Sequence, residues 1–339
     1  MTSAAATVGY ETKDRIPARA LIGWTVGVGV WFLPLIWIDT TTYLVLTVAG
    51  LTMGMLLFLT ASGFTLIFGL MDVLNLAHGA FFSWGAYAGF STLVLLNAVG
   101  WVETGTVSQS IYSLLIVLAM ALAVGAIVGL ILEQLLIRGV YGDHLKQILI
   151  TMGASLIMAE IIRVVWGPND EVTLMPAALT GSWDLFDVVI NKFRAISIIV
   201  GVAVFVAMQL VLKKTKLGII VRGGVENREM VQAMGYNIQR IFTGVFCAGT
   251  AFAAMGGAMW SLFKEQIYPD MGSENLIFAL IIVIVGGMGS VTGSFLGAIM
   301  VGLAFNYVAF LVPKLALGVN ILLMVIVLLI KPTGLLGQD

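Results

Sequence analysis

Charge is what this sequence has least of. Lys and Arg number 17 and Asp and Glu 18, so charged side chains make up 10% of the chain, against about 25% in an ordinary soluble domain. With 60% hydrophobic residues, no water-soluble core could hold the apolar surface. The net charge of -1 and the lack of a long basic run give no electrostatic footing for nucleic acid. The one cysteine, Cys247, sits in an apolar run, which excludes an intrachain disulfide and a cysteine metal cluster. No G-x-x-x-x-G-K-[ST] phosphate loop occurs, so the chain cannot hydrolyse ATP by that route.

The few charges divide the chain into stretches long enough to cross a bilayer, which takes roughly 20 mostly apolar residues per helix. The expected spans are Leu21–Ile38, Thr42 to about Thr60, a long region from about Ser62 to Asn97, Ile111–Ile137, Gln147–Trp166, Ala195–Leu212, Ile241–Phe263, Leu276–Met288, Val291–Val312 and Leu315–Ile330. The chain is therefore read as an all-α polytopic membrane protein of about ten transmembrane helices. The break between the second and third crossings is placed between Thr60 and Val73. Leu21–Ile38 lacks an A-x-A-like cleavage site and is read as an uncleaved first helix.

Lys13, Arg15, Arg19, Arg138, Lys146, Lys213, Lys214, Lys216, Arg222, Arg228, Arg240 and Lys331 fall on one side of this scheme. Only Arg163, Lys192, Arg194, Lys264 and Lys314 fall on the other. Positive loops stay cytoplasmic, which puts both termini inside. Residues 1–20 are then a cytoplasmic lead, 21–331 the membrane domain and 332–339 a cytoplasmic tail. The membrane domain carries a cytoplasmic loop at 214–240 and an extracytoplasmic loop at 167–194.

Glycine is plentiful, with 39 residues, and small residues let membrane helices approach closely. The runs at Gly85–Gly89, Gly125–Gly129, Gly249–Gly257 and Gly293–Gly297 read as packing seams, within the chain or against a second subunit. Gly63–Gly89 and Asn275–Asn306 look alike: apolar sequence leads into a polar, glycine-bearing break and then a small-residue helix. Interrupted segments at matching places in two related halves point to a transport pathway. Asp72, Asn75 and His78 would share one face of any common helix. They either line a pathway or gate or form a capping cluster, with Asp72 or Asn75 as N-cap. Gly286, Gly287, Gly289 and Ser290 form the second break. One imidazole beside one carboxylate is not a metal site. Glu160 with Arg163, and Glu133 with Arg138, read as structural pairs.

In the cytoplasmic loop, Val225–Met234 suits a short helix with Met230, Ala233 and Met234 on one face and Glu226, Asn227 and Glu229 on the other, ended by Gly235. It is a handle for a cytoplasmic partner or a helix lying at the membrane surface. On the outer side Asp170, Glu171, Asp184, Asp187, Lys192 and Arg194, with Lys264 and Lys314 on other turns, suit a docking surface where charge orients a partner or serve as ordinary loop solvation.

GFTLIFGLMDVLNLAHGAFFSWGAYAG, REMVQAMGYNIQRI, and IVIVGGMGSVTGSFLGAIMVG with the terminal KPTGLLG together resemble the permease subunits of ABC importers of the branched-chain amino acid type. That family also takes in urea, amides and some aromatic acids, and the resemblance covers nearly all the chain after Thr42. It implies a second permease subunit, two cytoplasmic ATPases holding ATP and Mg, and an extracytoplasmic binding protein, in a bacterial inner membrane, with no cofactor on this chain. It also implies that Glu226, Asn227, Arg228, Glu229, Met230, Ala233, Met234 and Gly235 dock on an ATPase, and that Lys192, Arg194, Lys264 and Lys314 face the binding protein. The chain departs from the family at Ala80, where members often carry an acid, which weakens a simple leucine-type assignment. A gradient-driven carrier or channel, with Asp72 and His78 as a proton relay, is the alternative.

Overall fold

The computed structural model describes residues 38–185, 188–226 and 228–337. The expected span Leu21–Ile38 lies, but for its last residue, outside the described residues, as does the lead 1–20. The chain divides into two compact units, residues 1–44 and 45–339. In the first, Asp39 accepts from the Thr42 N–H at 2.9 Å, as an N-cap does, and this bond holds its carboxyl below the usual carboxylate range.

Among the described residues the long helices are α1 (Thr40–Met71), α2 (His78–Ala98), α3 (Val107–Leu135), α4 (His144–Trp166) and α5 (Lys192–Lys214). After two short helices, α6 (Lys216–Glu226) and α7 (Arg228–Ala233), come α8 (Ile238–Lys264), α9 (Met271–Gly286), α10 (Val291–Leu311) and α11 (Ala316–Ile330). Among the described residues eight segments are long and apolar enough to cross a membrane, and α9 is a shorter apolar helix. The chain is an all-α polytopic membrane protein. The strands among the described residues are two small antiparallel pairs, β1 (Glu171–Val172) with β4 (Gln266–Ile267) and β2 (Ser182–Leu185) with β3 (Val188–Asn191).

One boundary differs from the sequence reading. Instead of ending near Thr60, α1 runs to Met71. Its polar residues do not break it, because the Ser62 and Thr65 hydroxyls donate back to Leu59 O and Ala61 O at 2.7 and 2.8 Å. A hydroxyl satisfied within its own helix leaves the ladder intact.

All four small-residue runs pack inside this chain, with α8 at the centre. A Cβ built on Gly125 of α3 would lie 2.6 Å from Ala254 Cβ and 2.7 Å from Thr250 O, and one on Gly256 would meet Thr60 Oγ1 of α1 at 2.5 Å. Gly85 of α2 lies against the Ala254 backbone, and Gly293 and Gly297 of α10 lie against α9. A second seam joins α1 to α10, where Gly54 faces Ala298 O and Thr65 Oγ1 meets Ser294 Oγ at 2.7 Å. Phe58, Phe205 and Phe295 fill the space between α1, α5 and α10, the last two stacked at 4.1 Å.

The structural ion pairs divide. Arg163 pairs with Glu160 as expected, and with Asp270 at 2.7 Å as well, which ties α4 to the start of α9. Arg138 bonds Gln239 rather than Glu133, because Glu133 turns into the interior and is 1% exposed.

Overpacking a close helix contact costs typically 1–3 kcal/mol, whereas a glycine facing open space gains helix propensity as alanine. Gly125→Ala is therefore expected to lower the thermal midpoint of the detergent-purified protein by several degrees. Gly153→Ala, where a Cβ meets nothing within 4 Å, is expected to leave it unchanged or raise it. Equal shifts in a fluorescence-detected melt would contradict the seam.

Candidate functional site

The first break begins where α1 ends. Asp72 has φ +54°, in the left-handed region, so the chain leaves the helix although its N–H still reaches Phe68 O at 2.9 Å. The Asp72 side chain is exposed, 3.5 Å from His144 Nε2 at the start of α4. The peptides that follow lose helical partners and find them on α4. Leu74 N–H donates to Gln147 Oε1 at 3.2 Å and Leu76 N–H to Thr151 Oγ1 at 3.1 Å. Gln147 and Thr151 are one turn apart and fully buried, so both project from one face of α4. Each unpaired buried N–H would cost about 1–3 kcal/mol.

α2 starts deep in the bundle. His78 Nε2 lies 2.9 Å from Thr60 O, and Thr60 stands about 17 Å along α1 from Met71 at 1.5 Å per residue. A carbonyl only accepts, so the network assigns the proton to Nε2 and leaves Nδ1 an acceptor. The Phe64 ring meets the imidazole edge to face at 5.3 Å. Asn75 is also fully buried; its Oδ1 accepts from Ala77 N–H at 3.1 Å. His78 Nδ1, Asn75 Nδ2 and Thr60 Oγ1 are buried without a hydrogen-bond partner among the described residues.

This corrects the shared helical face expected for Asp72, Asn75 and His78. Asp72 ends one helix at the surface, Asn75 lies in the extended connection, and His78 opens the next helix. Neither Asp72 nor Asn75 is the N-cap of α2, which is Ala77 with no side-chain cap.

The second break follows α9. Gly287 and Gly289 take φ +99° and +83°, and Ser290 Oγ caps α10 through Gly293 N–H at 3.0 Å. The last carbonyls of α9 are met by the C-terminal segment: Leu335 N–H donates to Val285 O at 2.9 Å and Leu336 N–H to Gly286 O at 3.0 Å. Gly334 and Gly337 approach Gly287 so closely that a side chain on any of them would collide. Gly69 of α1 lies against Gly289, so the second break sits beside the end of α1, where the first begins. Gly286 and Gly287 are buried, Ser290 is half-buried and Gly289 is exposed.

Two parts of this site escaped the sequence reading. Gln147 and Thr151 carried a signal, two polar residues four apart in an apolar run. The role of KPTGLLG had only its glycines to announce it.

The handle is two helices where one was expected over Val225–Met234. α6 ends at Glu226 and α7 covers Arg228–Ala233; Asn227 lies outside the described residues, as do the side chains of Glu226, Arg228 and Glu229. Gly235, at φ +87°, ends α7 as read. Met230, Ala233 and Met234 are exposed, whereas Val231 is buried in one cluster with Ile238 and Phe242 of α8 and with Met71, Val73 and Ala77 at the first break.

At the opposite end, Lys192 and Arg194 belong to the first turn of α5, and Lys314 to a turn before α11. Lys264 ends α8, 5.4 Å from the centre of the Trp260 ring. The four cations are spread over three elements. Asp187 lies outside the described residues. Among the described residues no group of three His, Cys, Asp or Glu could hold a metal.

The family described as branched-chain amino acid transport system / permease component matches residues 46–328. The high-affinity branched-chain amino acid transport system permease protein LivH of Escherichia coli K12 is 27% identical over 85% of this chain and 94% of its own length. BraD of Pseudomonas aeruginosa, of the same description, is 27% identical over 87% of this chain and 96% of its own. LivM of E. coli K12, another permease protein of that description, is 26% identical over 86% of this chain and 70% of its own. No solved structure matches. With the family match running from the first half of α1 into α11, this chain belongs to the branched-chain amino acid transport system permease family.

Proposed function

We propose that this chain is a permease subunit of an ABC importer in a bacterial inner membrane. It would move a small polar or amphipathic solute, a branched-chain amino acid or a related amide, urea or aromatic acid, inward at the expense of ATP hydrolysed on partner subunits. Those partners are two cytoplasmic ATPases, a second and homologous permease chain, and an extracytoplasmic binding protein. The chain itself needs no cofactor. That this chain matches both LivH and LivM supports a paired permease.

The observation that carries the reading is the buried cluster running from Val231 of α7 through Ile238 and Phe242 to Met71, Val73 and Ala77. A helix pair that exposes methionines outward and inserts a valine into the packing around a helix break is suited to pass a partner's displacement to that break. Methionine is adaptable at contact surfaces. Asp72, Asn75, His78, Gly286, Gly287, Gly289 and Ser290 are the pathway or gate residues in this reading, and Lys192, Arg194, Lys264 and Lys314 the binding-protein face.

Isolation of the tagged chain from native membranes in mild detergent tests the assembly. A P-loop ATPase and a second permease in comparable amounts are expected by mass spectrometry, and recovery of the chain alone across several detergents would overturn the reading.

Met230→Ala with Met234→Ala is expected to lower uptake per ATP hydrolysed roughly tenfold, since an anchoring interface side chain is worth upwards of 1 kcal/mol, while membrane insertion is unchanged. Unaltered uptake in proteoliposomes would remove the coupling role. His78→Ala removes the bond to Thr60 O in the interior and is expected to cut uptake by roughly tenfold with ATPase association intact. Equal loss of association, measured by pull-down, would assign His78 to folding instead.

A further inference from the structure

Glu133 of α3 is a buried acid that neither the pathway nor the partner surface uses. Its two oxygens each meet a hydroxyl on a different element: Oε1 accepts from Tyr141 at 2.8 Å, and Oε2 lies 2.9 Å from the Thr243 hydroxyl, whose one proton is shared between it and Gln239 O at 3.0 Å. Tyr141 belongs to the turn between α3 and α4. Thr243 belongs to the second turn of α8, directly after the α6–α7 handle. An acid in a membrane interior is costly unless its lone pairs are met, so the three side chains hold one another at fixed distances. Arg138, in the short turn Ile137–Val140 that follows α3, bonds Gln239 of α8 nearby.

The turn that Tyr141 belongs to leads to the first break. Gln147 Nε2 donates to Val140 O at 3.2 Å, and the Oε1 of the same amide receives Leu74 N–H. A continuous set of hydrogen bonds and short backbone steps thus runs from Thr243 through Glu133 and Tyr141 to Val140, Gln147 and Leu74. We infer that Glu133 is the positioning residue that links displacement of the handle to the α4 clamp on the first break, acting through the hydroxyls of Tyr141 and Thr243. The inference rests on the coupling reading of α7. It adds a polar path that meets the apolar cluster around Val231 at Tyr141, whose ring lies 6.3 Å from that of Phe242. Physical continuity alone does not establish coupling, so the link stands or falls on a perturbation that spares the packing.

Tyr141→Phe and Thr243→Val each remove one hydroxyl with little change of shape, and Glu133→Gln keeps the side chain's outline. In the full complex with its ATPases, on a Cys247→Ser background, Leu74→Cys reports the break through its rate of maleimide labelling with and without ATP. The ratio of the two rates is expected to fall roughly three- to tenfold toward one in all three variants, the range that coupling residues span, with the amount of co-isolated ATPase unchanged. Met230→Ala with Met234→Ala is measured in parallel. If that pair collapses the ratio while the three variants leave it unchanged, the Glu133 link is overturned and the coupling reading stands. If ATP changes labelling in no variant and not in the parent, the coupling reading itself is overturned. Loss of ATPase association along with the ratio would assign Glu133 to assembly and also overturn the link.

Discussion

Every peptide group in a membrane interior must find a partner within the protein, and the two breaks described here free peptide groups that are met by other parts of the chain. Where those freed groups go decides the rest of the architecture. At the first break they go sideways, to Gln147 and Thr151 on α4. At the second they go to the chain's own C-terminal segment, through Leu335 and Leu336. The second solution needs backbones in near contact, which accounts for Gly287 and Gly334, while Gly69 and Gly289 allow the two breaks to lie side by side. A side chain at Gly287 or Gly334 would push the donors out of reach of the carbonyls they satisfy.

Much of this was legible in the sequence, for identifiable reasons. The spacing of charges gave the spans of α3, α4, α5, α8, α10 and α11 to within a few residues, because desolvating a charge is expensive enough to keep most of them at helix ends. The glycine runs gave the seams, because close approach has few other solutions. The first break was bracketed between Thr60 and Val73 and lies at Asp72, inside that range; its place within the bracket was not legible, since Ser62 and Thr65 are polar letters whose hydroxyls donate back to their own helix. The three-residue spacing of Asp72, Asn75 and His78 implied a common face only if they shared a helix, and the left-handed backbone at Asp72 removes that premise. The pairing of Glu133 with Arg138 failed for a related reason: proximity along a helix does not compete with two hydroxyls brought in from distant parts of the chain.

The two breaks meet at the end of the bundle that carries α6 and α7. Gly69 touches Gly289, and the cluster beneath α7 reaches Met71 and Val73. A displacement of the handle of an ångström or two therefore falls on a region where helices are already interrupted and backbone rearrangement is least costly. Deeper in the bundle, polar atoms of Thr60, Asn75 and His78 are buried without a hydrogen-bond partner among the described residues.

In the proposed importer, transport through this chain is powered by nucleotide hydrolysis on partner subunits rather than by an ion gradient. The most direct measurement is uptake of the solute carried by the co-isolated binding protein into proteoliposomes holding the complex and that binding protein, with ATP enclosed and a protonophore added. The account predicts uptake that requires ATP and survives collapse of the proton gradient. Uptake that proceeds without ATP and stops with the protonophore would contradict it and would make Asp72 and His78 candidates for a proton relay.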